Sequence, residues 1–413
     1  MPDPRPLAGE SLTQTDHGRI LPMPHVHRQL IPIEAEMREL RQRIHANPEL
    51  GYQEYATSDL VAERLLKWGY EVHRGIAETA VIGTLKKGSS TRVLGLRADM
   101  DALPILEKTG LSYASQVPGK MHACGHDGHT TMLLAAAWVL AHDSEFDGTV
   151  RLIFQPAEEG LAGARRMIQE GVLEQFPCDA LFAMHNMPGY PQGKLGFRAG
   201  PFMASADQVR VTVQGHGGHG AMPHQCVDPV VVCASIILAL QTIVSRNVSP
   251  QEMSVITVGA INAGKASNVI PESAEMLISV RALNNDVRDR VEAQIKRLIH
   301  AQADAFGATA EVHYSADYPL LVNDPEMTEF ATKVAIDWLG EEQVLTDIPP
   351  FNGSEDFAWF LRERPGCYLI IGNGEGDQSC MIHDPRYDFN DDNLMRGAGY
   401  WIKLTEAFLP ARD

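Results

Sequence analysis

The sequence predicts an α/β protein in which a smaller β-α-β-β-α-β unit interrupts a larger domain. Three observations predict it. Strands alternate with helices over residues 31–202, the texture changes near Met203 to long alternating strands around two helices, and α/β texture returns after about Asp317. At 413 residues the chain also exceeds what one ordinary core supports.

The elements follow in order. Residues 1–30 are Pro-rich, polar and aperiodic, and read as a flexible arm that contact with a partner subunit would order. IEAEMRELRQRIHA is a helix stopped by Asn47-Pro48, and a second helix runs from about Glu54 to Trp68, ended by Gly69. The runs AVIGTLKK and RVLGLRADM read as strands, TTMLLAAAWVLAH as a helix and TVRLIFQP as a strand. A helix around ARRMIQEG and the strand DALFAMH follow, and this alternation implies a largely parallel sheet. Beyond Met203, SADQVRVTVQG alternates as a half-buried strand and DPVVVCASIILALQTIVS is helical. MSVITVGAINAG and SAEMLISVRAL are strands, VRDRVEAQIKRLIHAQADAFG is a helix, and TAEVHYSADY is a last strand. That order is the split βαβ, or ferredoxin-like, arrangement. PEMTEFATKVAIDWLG (helix) and CYLIIGN (strand) resume the first texture. Residues 31–202 and 317–413 therefore form one domain, and 203–316 a domain inserted into it.

Composition excludes several classes. With 35 basic and 53 acidic residues the net charge is −18, which argues against nucleic-acid and anionic-membrane partners, since both need clustered Lys/Arg. No stretch is expected to reach the roughly 20 apolar residues of a membrane span. The N-terminus has no apolar signal core, and six cysteines form no CxxC pair. These readings point to reduced thiols and a cytoplasmic location.

Four segments beside predicted strand ends carry acid–base and metal-binding residues, where open α/β sheets place their sites. In RADMDALP, Asp99 and Asp101 stand two apart, so both carboxylates project to one face; such a pair also serves as caps or turn residues. In MHACGHDGHT, Cys124 and His126 flank a glycine, and His122 and His129 add imidazoles; Zn²⁺, Mn²⁺, Co²⁺ or Ni²⁺ would accept this set. Glu158-Glu159 in IFQPAEEG can diverge, one binding metal and one taking a proton from the attacking water, although an EE pair by itself is commonly a solvated surface. His185 follows an apolar strand in FAMHNMPG, where a satisfied buried histidine is the plainer reading. His383 lies far downstream in MIHDPRYDF.

In order, RADMDALP, MHACGHDGHT, QPAEEG, HNMPG, GHGGHGAMPH, NVIP, GSEDF and HDPRYDF resemble the hippurate hydrolase branch of the aminoacylase/carboxypeptidase G metallopeptidase family. That branch includes bacterial N-acyl-amino-acid amidohydrolases and plant hydrolases of auxin–amino-acid conjugates. The resemblance runs from about Ile33 to Phe408. It implies a zinc-peptidase-like catalytic domain with an inserted lid and dimerisation domain, assembled as a homodimer or homotetramer. It implies one or two divalent ions (Zn, Mn, Co or Ni) held by Cys124, His126, Glu159, His185 and His383, with Glu158 as general base. Asp101 matches a residue that orients a ligand, and Asp99 stands where many relatives carry a ligand histidine. His219 resembles a histidine that stabilises the oxyanion, in some relatives from the neighbouring subunit; a Gly/His-rich turn is the alternative. Asn268 and Arg281 match polar residues that bind the substrate carboxylate or the oxyanion. Gly353 and Ser354 would line the site near the acyl group, or Ser354 would cap a helix with Glu355 and Asp356 in its first turn.

The implied reaction is hydrolysis of the amide bond of small N-acyl amino acids without a covalent enzyme intermediate. A dipeptidase or carboxypeptidase of the wider family is the nearest alternative. Cys124 disfavours it, because peptidase relatives usually carry an aspartate there. A catalytically silent metal-binding module would lack Glu158 or a ligand, and a redox role for Cys124 would want a resolving cysteine nearby in sequence.

Overall fold

The computed structural model describes residues 27–376 and 380–411, so almost all of the predicted N-terminal arm lies outside the described residues. An eight-stranded sheet forms the larger unit. Its order is Glu71–Arg74, Val81–Lys87, Gly148–Gln155, Val93–Asp99, Ala180–Pro188, Gly366–Gly374, Leu195–Phe197, Val344–Thr346. The central four, from Gly148–Gln155 to Gly366–Gly374, are parallel. Antiparallel pairs flank them, so the sheet is mixed rather than largely parallel. The central strands read as near-continuous apolar runs because helices cover both faces. One face packs on Glu34–Ala46, His126–His142 and Asn393–Phe408, the other on Gly163–Gln169 and Ala358–Glu363. Asn393–Phe408 escapes sequence reading because two glycines interrupt it. They are what let it pack closely: a Cβ at Gly397 would lie 2.1 Å from Met132 Sδ, and one at Gly399 2.7 Å from the Trp338 ring.

The inserted unit is a four-stranded antiparallel sheet in the order Ser254–Ala263, Ser273–Ala282, Ser205–Gln214, Thr309–Tyr318. Helices Pro229–Asn247 and Asn285–Ala305 cover one face, giving the predicted β-α-β-β-α-β topology. Asp228 caps the first helix and Asn284 the second by accepting backbone N–H groups. One expectation needs correcting: Pro229–Asn247 is long and apolar enough, by length and composition alone, to cross a membrane. Its apolar residues run all round the helix because one side, with Val232, Ile236, Leu240 and Ile243, packs on the sheet. The other leaves Val230, Val231 and Leu238 exposed.

A buried ion network fastens helix Glu34–Ala46 beneath the site. Arg41 contacts Asp127, Asp388 and Asp391, and His45 Nδ1 lies 2.8 Å from Asp127 Oδ2. Burial opposes a charge on His45, but hydrogen bonds to Asp127 and Glu107 raise its pKa to about 9. A histidine raised above its unfolded value of about 6.5 stabilises fully below that value and loses the contribution as pH rises through the folded pKa. We therefore expect unfolding stability to fall between pH 6.5 and 9 by up to about 3 kcal/mol. Urea midpoints across that range should show the decline in wild type and a flattened profile in His45→Gln.

Candidate metal centre and substrate cavity

The parallel strands deliver the site at their carboxyl ends, the usual place in such sheets. Val93–Asp99 leads to Asp99 and Asp101, Gly148–Gln155 to Glu158 and Glu159, and Ala180–Pro188 carries His185. Cys124 and His126 enter from the N-terminus of helix His126–His142. Gly125 between them has φ +96°, and a Cβ there would lie 1.9 Å from Asn186 Oδ1. Only glycine suits this turn, which aims both neighbours at one point.

There the donors converge. Potential ligand atoms of Cys124, His126 and His185 lie within 4.8 Å of one another, as do those of Cys124, Glu159 and His383, and of His126, Glu158 and Glu159. Cys124 Sγ is 3.3 Å from His185 Nε2. His185 Nδ1 lies 2.6 Å from the Asn186 carbonyl, which can only accept, so Nδ1 carries the proton and Nε2 turns its lone pair to the site. His383, at φ +69°, comes from the C-terminal loop with Nε2 3.2 Å from Glu159 Oε1. Both ring nitrogens of His126 and Glu159 Oε1 are buried without a hydrogen-bond partner. Buried polar atoms are rarely left so, and a coordinated cation would satisfy Glu159 Oε1 and the His126 nitrogen turned away from Asp101. Electrostatics agree. Burial opposes charge on His126, yet Asp99, Asp101 and Glu159 push its pKa up to about 10, so the field there favours positive charge. Burial first, and then Glu159, Glu158 and Asp99, push the Cys124 thiol well above its usual range. A thiol held neutral is a poor redox nucleophile, whereas a cation would make it a thiolate. The residues present thus fit one or two divalent ions.

Asp101 lies behind the donors. Its carboxylate accepts the backbone N–H groups of Glu158 (3.0 Å) and Glu159 (2.9 Å), and Oδ1 lies 3.3 Å from His126 Nδ1. Asp99 is held by His129 Nδ1 and Arg97 Nη1, each at 2.6 Å, and with His126 and His129 it makes a further group of donor atoms within 4.8 Å of one another. Glu158 is buried. Desolvation first, and then Glu355, Glu159, Asp356 and Asp101, raise its carboxyl well above the usual range.

Sequence reasoning missed the supports behind these groups. Buried Arg97 donates to Gln155, Asp99, Glu355 and Asp356, neutralising an acidic cluster under Glu158. Glu355 and Asp356 do not form the first turn of a helix, since the nearest helix is Ala358–Glu363, and Ser354 does not cap it. Buried Glu54 accepts from Ala157 N (2.9 Å) and Thr79 Oγ1 (2.7 Å), and burial followed by Asp101 raises its pKa to about 7. Only the run GSEDF hinted at the acidic cluster; GYQEY at Glu54 reads as an ordinary helix start.

Above the donors a cavity of about 620 Å³ opens between the two units. Arg281 and Leu277 from the inserted sheet, and Gly353, Ser354 and Met187 from the larger unit, line it. Arg281 Nη1 donates to Ser354 Oγ at 2.8 Å. His219 and Asn268 lie elsewhere. They are exposed, where Gly218–His219 pairs with Val269–Ile270 and Gly220 N donates to the Asn268 carbonyl, and neither lines the cavity.

The profile of Peptidase family M20/M25/M40 matches residues 95–407. The chain belongs to this family. Among M20 relatives it is 42% identical over 381 residues to hippurate hydrolase of Campylobacter jejuni, covering 92% of this chain and 98% of that one. It is 39% identical to thermostable carboxypeptidase 2 of Saccharolobus solfataricus, covering 89% and 93%. A solved M20 structure from Bacillus subtilis, described as a dinuclear metal binding peptidase, superposes with TM-score 0.79 at 33% identity, covering 91% and 98%. The fold and the branch predicted from the motifs are those of this family.

Proposed function

We propose that the chain hydrolyses the amide bond of N-acyl amino acids in a metal-dependent reaction, releasing a carboxylic acid and a free amino acid. One observation carries this reading: Cys124, Glu159, His185, His383 and Glu158 line a cavity that sets an arginine and apolar side chains above them, with His126 converging on the same donors from beneath. One or two divalent ions (Zn, Mn, Co or Ni), held by Cys124, His126, Glu159, His185 and His383, would supply Lewis acidity and acidify the attacking water. Glu158 takes the proton of that water and returns it to the leaving nitrogen. Asp101 fixes the Glu158–Glu159 backbone and the His126 ring. Arg281 binds the α-carboxylate with its planar fork, and Gly353 and Ser354 border the acyl group.

In this reading His219 and Asn268 act from a neighbouring copy, with His219 of the partner subunit donating to the oxyanion. Their exposure together, away from this chain's own cavity, supports it. The open apolar side of Pro229–Asn247, with Leu238 72% exposed, supports a homodimer or homotetramer joined through the inserted unit. The unpaired cysteines fit the expected cytoplasmic location.

A carboxypeptidase is the second reading, favoured by the relative of that name. Both reactions cut an amide next to a free α-carboxylate and differ on the acyl side. A rate panel after Mn²⁺ or Zn²⁺ reconstitution separates them. N-benzoyl-, N-acetyl- and indole-acetyl amino acids should turn over at least tenfold faster in kcat/KM than dipeptides and peptides. Faster peptide cleavage would establish the carboxypeptidase instead.

A further inference from the structure

We propose that Tyr318 is a positioning residue that ties the inserted sheet to the backbone of the general base; this rests on the assignment of Glu158 above. Tyr318 ends the strand Thr309–Tyr318, which pairs regularly with Ser205–Gln214 until Ala316 meets Asp207. The register then shifts: Asp317 is passed over and Tyr318 stands opposite Ala206. The bulge decides where the side chain points, because neighbours along a strand face opposite sides. The Asp207 row faces the helices, where Arg288 and Tyr314 bind its carboxylate. The Ala206 row, which continues to Arg281 on the next strand, faces the cavity. Without the bulge Tyr318 would stand in the Ser205 row, on the helix side.

On the cavity side its hydroxyl donates to the Glu158 carbonyl at 2.6 Å and accepts from Ala162 N at 3.3 Å, with the residue only 5% exposed. The turn so held is strained: Ala157 (φ +57°) and Ala162 (φ +53°) bracket it in the left-handed region. Such conformations persist only where the surroundings over-determine them. Glu54 and Asp101 hold the N–H side of this turn from the larger unit, at Ala157, Glu158 and Glu159. Tyr318 holds the carbonyl side from the inserted unit. In the same cross-strand row, Arg281 reaches Ser354 on the opposite wall. Movement of the inserted sheet is thereby transmitted to the main chain of Glu158, so the substrate-binding arginine and the base are set by one row of one sheet.

The test uses metal-reconstituted full-length wild type, Tyr318→Phe, Glu158→Gln and the double variant. N-benzoylglycine is the substrate, and bound metal and Tm are measured on the same samples. For Tyr318→Phe, kcat should fall about tenfold or more, with KM within about threefold of wild type. Bound metal should stay unchanged, Tm should fall only modestly with the protein still folded at the assay temperature, and the substitution should cost nothing further on a Glu158→Gln background. An unchanged kcat, or a loss explained wholly by lost metal or folded fraction, overturns the proposal. Full turnover by Glu158→Gln overturns the base assignment and the proposal with it, an outcome distinct from failure of Tyr318 alone. If Tyr318→Phe fails to fold, Tyr318→3-fluorotyrosine keeps the shape and alters donor strength; kcat should then change at constant KM, and an unchanged kcat overturns the proposal.

Discussion

Glu158→Gln is expected to bind metal normally and to lose turnover by about 10²–10⁴-fold, the range attributed to a positioned general base. That corresponds to about 3–5 kcal/mol of transition-state stabilisation. The amide keeps the shape of the carboxylate and can still accept from Asp356 N, which lies 3.4 Å from Glu158 Oε1. It cannot take a proton. The substitution should also relieve charge crowding, because the carboxylate is buried beside Glu355, Asp356 and Asp101. Tm should therefore hold or rise while kcat collapses. Initial rates, metal content and calorimetry on one preparation separate these effects. Near wild-type turnover at full metal content would remove Glu158 from the mechanism.

His126→Ala should act on the other half of the site. His126 belongs to three of the donor groups, more than Cys124 or His185, and its nitrogens are buried without hydrogen bonds. Deleting it removes a coordinating group and a balancing charge together. The metal-stripped variant should melt below metal-stripped wild type, because the His126 ring balances the carboxylates around it, whereas added Mn²⁺ or Zn²⁺ should raise Tm in wild type alone. Ligand at 100 times its Kd stabilises by about 2.7 kcal/mol, a readily measured shift. Hydrolysis should fall to background with the lost metal. An undiminished metal-induced shift in His126→Ala would mean that the ion sits elsewhere.

What could be read from the sequence divides along physical lines. The alternating strands of the inserted unit and the apolar central strands announce themselves because local periodicity follows burial. Cys124, His126, Glu158, Glu159, His185 and His383 were legible because each sits in a short run rich in chemistry beside a strand end. Their convergence is tertiary, yet motif order stood in for it. Arg97, Glu54 and Tyr318 carry no such mark. An arginine inside a strand, a glutamate before a helix and a tyrosine closing a strand acquire their roles only when distant segments, such as Glu355 or the bulge at Asp317, arrive beside them. Helix Asn393–Phe408 stayed hidden because Gly397 and Gly399 lower helix propensity for the sake of close packing. The Glu158–Glu159 pair shows the reverse hazard, since its composition suggests solvent while Asp101 and Tyr318 hold Glu158 inside.

The central claim is that the converged donors make the protein an amide hydrolase only when a divalent ion is bound. The most direct measurement titrates chelator-stripped protein with Mn²⁺, then with Zn²⁺, and follows bound metal and release of benzoate and glycine from N-benzoylglycine in the same sample. Stripped protein should release neither product, the rate should rise with bound metal to a plateau at one or two ions per chain, and the two products should form in equal amounts. Hydrolysis that survives complete removal of metal, or fully loaded protein that cleaves no N-acyl amino acid, would contradict it.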